Sequence, residues 1–465
     1  MHLLDALALT PTPDAPAVVA FVGGGGKSSA MFVLARELAA AGKRVVTTTT
    51  TRIAAAQIAE APAFVPVLDT ALPLDHVAAR LDAHGHVMLI GRETVEHGAV
   101  YKRAGIAPDV IDALVAHSGQ LGLDAVLVEA DGSRMLPLKA PAAHEPVLPT
   151  STTVLVPVAG MDAIGRPWDA AHVHRAEVAR GLLGLAEDAH PGRVTPAQVA
   201  ALLAHPTGGR KGQGAARVVA LLNKVDRPLG LPLARLVAQR LPADGVPSLL
   251  GAMARPDAPI EERWLPWTAV ILAAGASTRM GRPKQLLTVD GVPLVVRAVQ
   301  TARQAGAPEV LVVTGAHAEA VAAAVADAQL SVPVRIVHNA AWEAGQASSV
   351  VTAINALRSP TQAALFLPVD QPFLTPLLLR KLVTAWQRGA DLVAPTVDGT
   401  LRGAPCLFAR RFWPELAALS GDVGGRGVLR RHAADAAAIV ATGHELRDLD
   451  TPEQWTAFAP DVGPR

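Results

Sequence analysis

Apolar, β-branched runs alternate with Ala- and Leu-rich stretches along the whole chain. AVVAFV from Ala17, KRVVTTTT from Lys43, DAVLVEA from Asp124, TTVLVPV from Thr152 and ARVVALL from Ala216 read as buried strands. Stretches such as SAMFVLARELAAAG between them read as helices. Near-continuous apolar strands separated by helices predict a parallel sheet covered by helices. A second series, TAVILAAG, PEVLVVTG, VRIVHN, AALFLPVD and ADLVAPT, begins at Trp267 with its own strand, loop and helix. It predicts a separate α/β domain. Between the two series lies MARPDAPIEERWLPW, with three prolines and mixed charge, read as a linker around Met253 to Trp267. The expected division is a domain over 1–255, a linker over 256–266 and a domain over 267–465. Both halves open with a Gly-containing loop after a strand, but the loops differ, so duplication is not indicated.

Composition narrows the classes. The 465 residues match two or three domains at roughly 150 residues each. Lys and Arg total 42 against 41 Asp and Glu, a formal charge of +1, which argues against a nucleic-acid coat or a polybasic membrane patch. With half the residues apolar, global disorder is excluded, and 3% aromatics disfavour a stacking platform for single strands. The one cysteine, Cys406, excludes a disulfide framework, a zinc ribbon and an iron–sulfur site within one chain, and reads as a buried small apolar residue. No apolar run approaches the ~18 residues that span a bilayer. The opening MHLLDALALTPTPDAP lacks a basic segment followed by an apolar core, so a cytoplasmic protein is expected.

In the first half, VVAFVGGGGKSSAMFVLARELAAAG is strand, Gly-rich loop and helix. Gly23 to Gly26 lack Cβ atoms, so the amides of Gly24, Gly25 and Gly26 are candidates to surround phosphate oxygens. Lys27 is placed to reach β- and γ-phosphates, and Ser28 or Ser29 to hold Mg²⁺. The usual phosphate loop needs Gly where this chain has Phe21, so the loop is a variant. DAVLVEADGSR ends a strand with Glu129 and Asp131, where a second nucleotide motif places an acid. VVALLNKVD ends another with Asn223, Lys224 and Asp226, an N-K-x-D string of the guanine-reading kind. GTP and ATP both stay open. His172, His174 and Arg175 in HVHR lack a third ligand for a metal, so a phosphate or partner contact or a solvated loop reads better.

In the second half, TAVILAAGASTRMGRPKQLLTVDGVPLV places Leu272, Ala273, Ala274 and Gly275 at the end of a strand. Small residues there let the backbone approach a nucleobase and ribose. Ser277 and the loop amides are candidates for the triphosphate. Arg279 and Lys284 put fixed positive charge where negative charge moves to a leaving pyrophosphate. ALFLPVDQPF reads as an apolar strand ending in Pro368, Val369, Asp370, Gln371 and Pro372, and a carboxylate at that strand end suits Mg²⁺, which takes few carboxylates plus substrate oxygens. SGDVGGRG, with Asp422 and Arg426, and LRDLDTPEQW, with Asp448 and Asp450, offer further acids for metal or substrate.

Residues 15 to 250 resemble the YqeC family of selenium-dependent hydroxylase accessory proteins, through GGGGKSS, TTTTTRI, VEADGSRMLPLKAPAAHEPVLP, GMDAIGRPW with HVHR, and LLNKVD. That resemblance implies a P-loop-like parallel-sheet domain and a link to molybdenum hydroxylase maturation. Residues Thr268 to Trp455 resemble the MobA-like nucleotidyltransferases, and within them the molybdenum cofactor cytidylyltransferases, through LAAGASTRMGRPKQLL, HNAAWEAGQASSV, PVDQPF, LSGDVGGRG and LRDLDTPEQW. This implies a Rossmann-like three-layer α/β/α domain. It also implies transfer of CMP from CTP to the terminal phosphate of the molybdenum pterin cofactor, with release of pyrophosphate. By position, Leu272 to Gly275 line the nucleotide, Arg279 and Lys284 stabilise the transition state, Asp370 holds Mg²⁺, and Asn339, Gly345, Gln346 and Ser348 fall where base or pterin is met. LAAG in place of the guanylyltransferases' LAGG favours CTP. Gly403-Ala404-Pro405 departs from the subfamily's Gly-His-Pro and leaves that substrate contact open. The implied partner is a molybdenum hydroxylase of the xanthine dehydrogenase type, or its maturation chaperone; neither nucleic acid nor membrane is expected. Two other functions stay open: a GTP- or ATP-dependent accessory protein that carries or inserts cofactor, and a nucleotidyltransferase for another phosphate acceptor.

Overall fold

The computed structural model describes every residue except 69–71, 97–98, 186–191, 242–244, 256, 329, 331–333 and 459–465. The chain divides into two compact units, Met1–Trp264 and Leu265–Arg465.

The first unit is built on strands β1 (Ala17–Gly23), β2 (Val45–Thr49), β3 (Phe64–Pro66), β4 (His86–Ile90), β5 (Ala125–Glu129), β6 (Val154–Gly160), β7 (Ala220–Asn223), β8 (Ser248–Gly251) and β9 (Ile260–Trp264). Their order across the sheet is β9-β8-β7-β6-β1-β5-β2-β4-β3. All neighbours on this path are parallel except β8 and β9. Helix α1 (Lys27–Ala40) leaves the Gly-rich loop and buries Ala30, Met31, Leu34 and Leu38. The segment read as a linker is in part this sheet's antiparallel edge. Ile260 and Glu262 of β9 are each 2% exposed, and Glu262 pairs with Arg235 through an Nε–Oε distance of 3.1 Å. Flanking prolines and charges masked the strand, since an antiparallel edge tolerates both. Residue 256, where the linker was expected to start, lies outside the described residues.

The second unit contains β10 (Trp267–Ala273), β11 (Glu309–Thr314), β12 (Val334–His338), β13 (Ala363–Pro368), β14 (Leu392–Val397), β15 (Thr400–Leu401), β16 (Cys406–Ala409) and β17 (Ala437–Val440). The order is β12-β11-β10-β13-β16-β14-β15, with β17 also beside β14. Side chains alternate between two cores. Ala269, Ile271, Val310, Val312, Leu365 and Leu367 face one; Val270, Leu311, Val313, Ala364 and Phe366 face the other. Helices α2 (Leu294–Gln304) and α4 (Pro376–Gln387) fill the first core with Val295, Val299, Leu378 and Leu382. Helix α3 (Gln346–Ala356) fills the second with Val350, Ala353 and Ile354. The sheet is therefore the middle of three α/β/α layers, as period-two burial on both faces requires.

Topology now locates a crevice. β10 has β11 on one side and β13 on the other. Chain connections leave in opposite directions there, and such a switch point opens a cleft beyond the carboxyl ends of the strands. Cys406, on β16, is 1% exposed. Among the described residues no helix is long and apolar enough to cross a membrane.

Candidate functional site

The loop after β10 is shaped from beneath by one side chain. Gln285 is fully buried. Its Nε2 donates to the carbonyls of Ala273 (3.1 Å) and Gly275 (2.6 Å), and its Oε1 accepts from the Ser277 hydroxyl (3.2 Å). That hydroxyl also accepts the Lys284 amide at 3.0 Å. The chain turns back on itself through Ser277 at φ +57° and Gly281 at φ +68°. The half-buried Ser277 hydroxyl thus ties the two ends of the loop together. Leu272 lines the cleft beside this loop. Ala273 and Ala274 are buried, and the Ala274 carbonyl accepts the Ala316 amide at 3.1 Å.

Four charged groups meet at the crevice. The Lys284 ammonium pairs with Asp370 and, at 3.1 Å, with Asp450. Arg279, its side chain 71% exposed, reaches the other oxygen of Asp450 at 3.4 Å. Asp370 lies just beyond β13, and its carbonyl accepts the Leu449 amide at 2.9 Å, which ties the two acidic segments together. Burial alone would lower the Lys284 ammonium, but Asp370 and Asp450 outweigh it and hold the group above the usual lysine range. Beside them, Gln371 Nε2 donates to Asp448 at 3.0 Å. Burial raises the Asp448 carboxyl, and the nearby Asp370 and Asp450 charges add to the rise.

These groups line a cleft of about 1100 Å³, which Arg402, Asp422 and Arg426 also line. Asp422 accepts the Gln346 amide at 3.2 Å, so one of its carboxylate oxygens holds the start of α3. Asn339 is a structural residue. It is 2% exposed and donates to Ser348 (2.8 Å) and Ser349 (3.0 Å). Gln346 does line the cleft. Arg402 and Arg426 have no carboxylate partner among the described residues. Gln285, Arg402 and the role of Gln371 as the partner of Asp448 escaped the sequence reading. Gln285 alone left a signal, as the neighbour of Lys284.

The donors fit a divalent ion. Two carboxylates converge on a single cation position, now held by Lys284. No group of three or more His, Cys, Asp or Glu forms a metal cage among the described residues. Two carboxylates suit a Mg²⁺-like ion that completes its shell with phosphate oxygens and water.

In the first unit the Gly-rich loop sits between β5 and β6. Its amides are spent internally: Gly23 on Asp131 (3.0 Å), Gly24 on the Val158 carbonyl (2.9 Å) and Gly25 on the Leu136 carbonyl (2.9 Å). The open cradle expected of Gly24 and Gly25 is therefore absent. Gly26 caps α1, an N-terminus that favours an anion. Lys27, 3% exposed, donates to the Gly23 carbonyl (2.8 Å) and faces Asp131 (3.3 Å) and Glu129 (3.7 Å). The Ser28 hydroxyl donates to Glu129 at 2.5 Å, while Ser29 is exposed. Burial raises the Glu129 carboxyl against the pull of Lys27 and Ser28. Asp131 also pairs with Lys139 (2.9 Å), Lys139 with Glu145 (2.6 Å), and Glu145 with Arg175 (2.7 Å). Burial opposes ionisation of Glu145, but Lys139 and Arg175 bring its carboxyl down to about 2. Asn223 reaches the loop, donating to the Gly25 carbonyl at 2.8 Å. Lys224 turns to Asp162 at 2.8 Å, and Asp226 is exposed.

Residues 19–177 match the family model described as YqeC protein, and residues 269–436 match the MobA-like NTP transferase domain. Three relatives bracket the chain. Uncharacterized protein YqeC of Escherichia coli is 39% identical over 25% of this chain, which spans 44% of that protein's length. Nicotine blue oxidoreductase of Paenarthrobacter nicotinovorans is 36% identical over 40% of this chain and 93% of its own length. Molybdenum cofactor guanylyltransferase of Xanthomonas euvesicatoria is 32% identical over 41% of this chain and 93% of its own.

Proposed function

The chain belongs to the MobA-like NTP transferase family, with a YqeC region ahead of that domain, and from this premise we propose that it transfers CMP from CTP to the terminal phosphate of the molybdenum pterin cofactor. The observation that carries the reading is the pairing of Lys284 and Arg279 with Asp370 and Asp450 at the mouth of the Leu272–Gly275 loop. The loop seats the nucleotide, with small residues at Ala273, Ala274 and Gly275 where base and ribose approach. Asp370 and Asp450 would hold the divalent ion, which would supply neutralisation of charge on the phosphates. Arg279 and Lys284 stabilise the charge that passes to pyrophosphate as an acceptor phosphate oxygen bonds to the α-phosphorus and the bridging oxygen leaves. Arg402 and Arg426, unpaired in the cleft, hold the acceptor's anionic end. The first unit binds GTP or ATP at the start of α1, with Lys27 on the phosphates and Ser28 and Glu129 at a metal, and serves delivery to a molybdenum hydroxylase or its chaperone.

A transfer assay tests this. Protein, Mg²⁺ and molybdenum pterin cofactor receive CTP, GTP or ATP separately, and pyrophosphate and the pterin dinucleotide are measured. CTP alone should give product, and Asp370→Ala should lower the rate by about 10²–10³-fold. Product from GTP alone would move this chain to the specificity named for its Xanthomonas relative. Nucleotide hydrolysis without any dinucleotide would replace the reading with an accessory NTPase. Redox turnover of nicotine blue would support the activity named for the Paenarthrobacter relative.

A further inference from the structure

The four charges at the crevice are balanced among themselves. Asp370 and Asp450 are two anions; Lys284 is a cation shared by both, and Arg279 is a second cation on the other oxygen of Asp450. We propose that Lys284 is the resident cation of this carboxylate pair in the nucleotide-free protein, and that a divalent ion enters only together with a triphosphate. The inference deepens the transferase reading above and rests on it.

Three features support it. First, Lys284 reaches both carboxylates at once, so it occupies the position between them. An ion arriving alone must displace the ammonium or sit against a like charge. Second, the backbone of Lys284 is fixed while its head is not. Its amide is held at 3.0 Å by Ser277, and its neighbour Gln285 is fully buried, so the turn stays in place. The four-carbon stem can still swing the ammonium away as a compact point charge. Third, the triphosphate supplies what the exchange lacks. Its oxygens attract the ammonium and the guanidinium, and they free the carboxylates for the ion. Metal and nucleotide affinities must then be coupled, and coupling of binding free energies is reciprocal.

The alternative is that Lys284 is a fixed structural partner of Asp370 and that metal binds without reference to it. Binding of Mn²⁺ to the full-length protein, followed by electron paramagnetic resonance without nucleotide, separates the two. Wild type should bind Mn²⁺ weakly. Lys284→Met should bind it at least tenfold more tightly, and adding Asp370→Asn to that variant should abolish the gain. Lys284→Arg, which keeps the charge, should stay within a few-fold of wild type. Arg279→Gln removes an exposed partner of Asp450 and should shift binding in the same direction, about two- to fivefold, so the test survives a Lys284→Met variant that does not fold. In wild type, CTP should bind at least tenfold more tightly with Mn²⁺ than without.

Unchanged Mn²⁺ affinity in both Lys284→Met and Arg279→Gln overturns the proposal. So does a gain that Asp370→Asn leaves intact, because the ion then sits elsewhere. So does CTP affinity indifferent to Mn²⁺. Failure of CTP, GTP and ATP all to bind would instead sink the transferase reading, and the metal titration would still report on the lysine.

Discussion

Gln285 presents no group to the cleft and yet decides the shape of the nucleotide loop. Its amide answers two backbone carbonyls and one hydroxyl in a fully buried position. Gln285→Ala would remove the partner of the buried Ala273 carbonyl and the link that ties Gly275 and Ser277 to it. The expected cost is about 2–3 kcal/mol of stability, read by urea denaturation. A fall in kcat/KM for the nucleotide should accompany it, because the loop that carries Arg279 and Lys284 loses its template. Site residues were unevenly legible at this scale. Arg279, Lys284 and Asp370 were visible because each sits at a fixed offset from a strand end. Asp450 was visible only as one acid among several, since it meets Lys284 across 166 positions of sequence. The local bonds of Ser277 and Asp422 were not legible, because a short polar side chain in a turn satisfies nearby backbone or side-chain groups as readily as it binds a ligand.

At the scale of elements, the Gly-rich loop of the first unit shows what four consecutive glycines are for. A Cβ at Gly25 would lie 2.2 Å from the Gly160 nitrogen, and its φ is +83°. A Cβ at Gly23 would lie 2.5 Å from the Val158 carbonyl oxygen. The glycines therefore let the loop press against β6 and the Leu136–Pro137 segment, and phosphate access passes to the start of α1. Gly25→Ala should cost about 2–4 kcal/mol through overpacking and backbone strain, measured as a lowered denaturation midpoint. Nucleotide binding by the first unit should weaken with it, measured by calorimetry. The sequence showed that a loop of this kind stands here. It did not show where the amides point, because that depends on carbonyls supplied by residues more than a hundred positions away.

For the whole molecule, the two-unit plan was readable from two independent strand series, and the composition kept both within the α/β class. The junction was not, because an edge strand with charged residues reads like a connector. Its position matters for dissecting the protein. A fragment 1–264 keeps β9 on the edge of the first sheet, with Ile260 buried and Glu262 on Arg235. A fragment 1–255 bares β8 and leaves Arg235 without that carboxylate. Unprotected edges of this kind pair with other chains. The longer fragment should elute as a single discrete species in size-exclusion chromatography, and the shorter one should aggregate or unfold at a lower denaturant concentration.

The buried thiol of Cys406 carries a practical consequence. It lies on β16, hydrogen-bonded to β13, the strand that delivers Asp370. Burial pushes the thiol far above its ordinary pKa, so an alkylating reagent meets neither a thiolate nor an open path while the sheet is closed. Labelling must wait for β16 to come away, and the chain has no other cysteine to confuse the signal. The rate of reagent uptake is therefore a stopwatch on one layer of one unit.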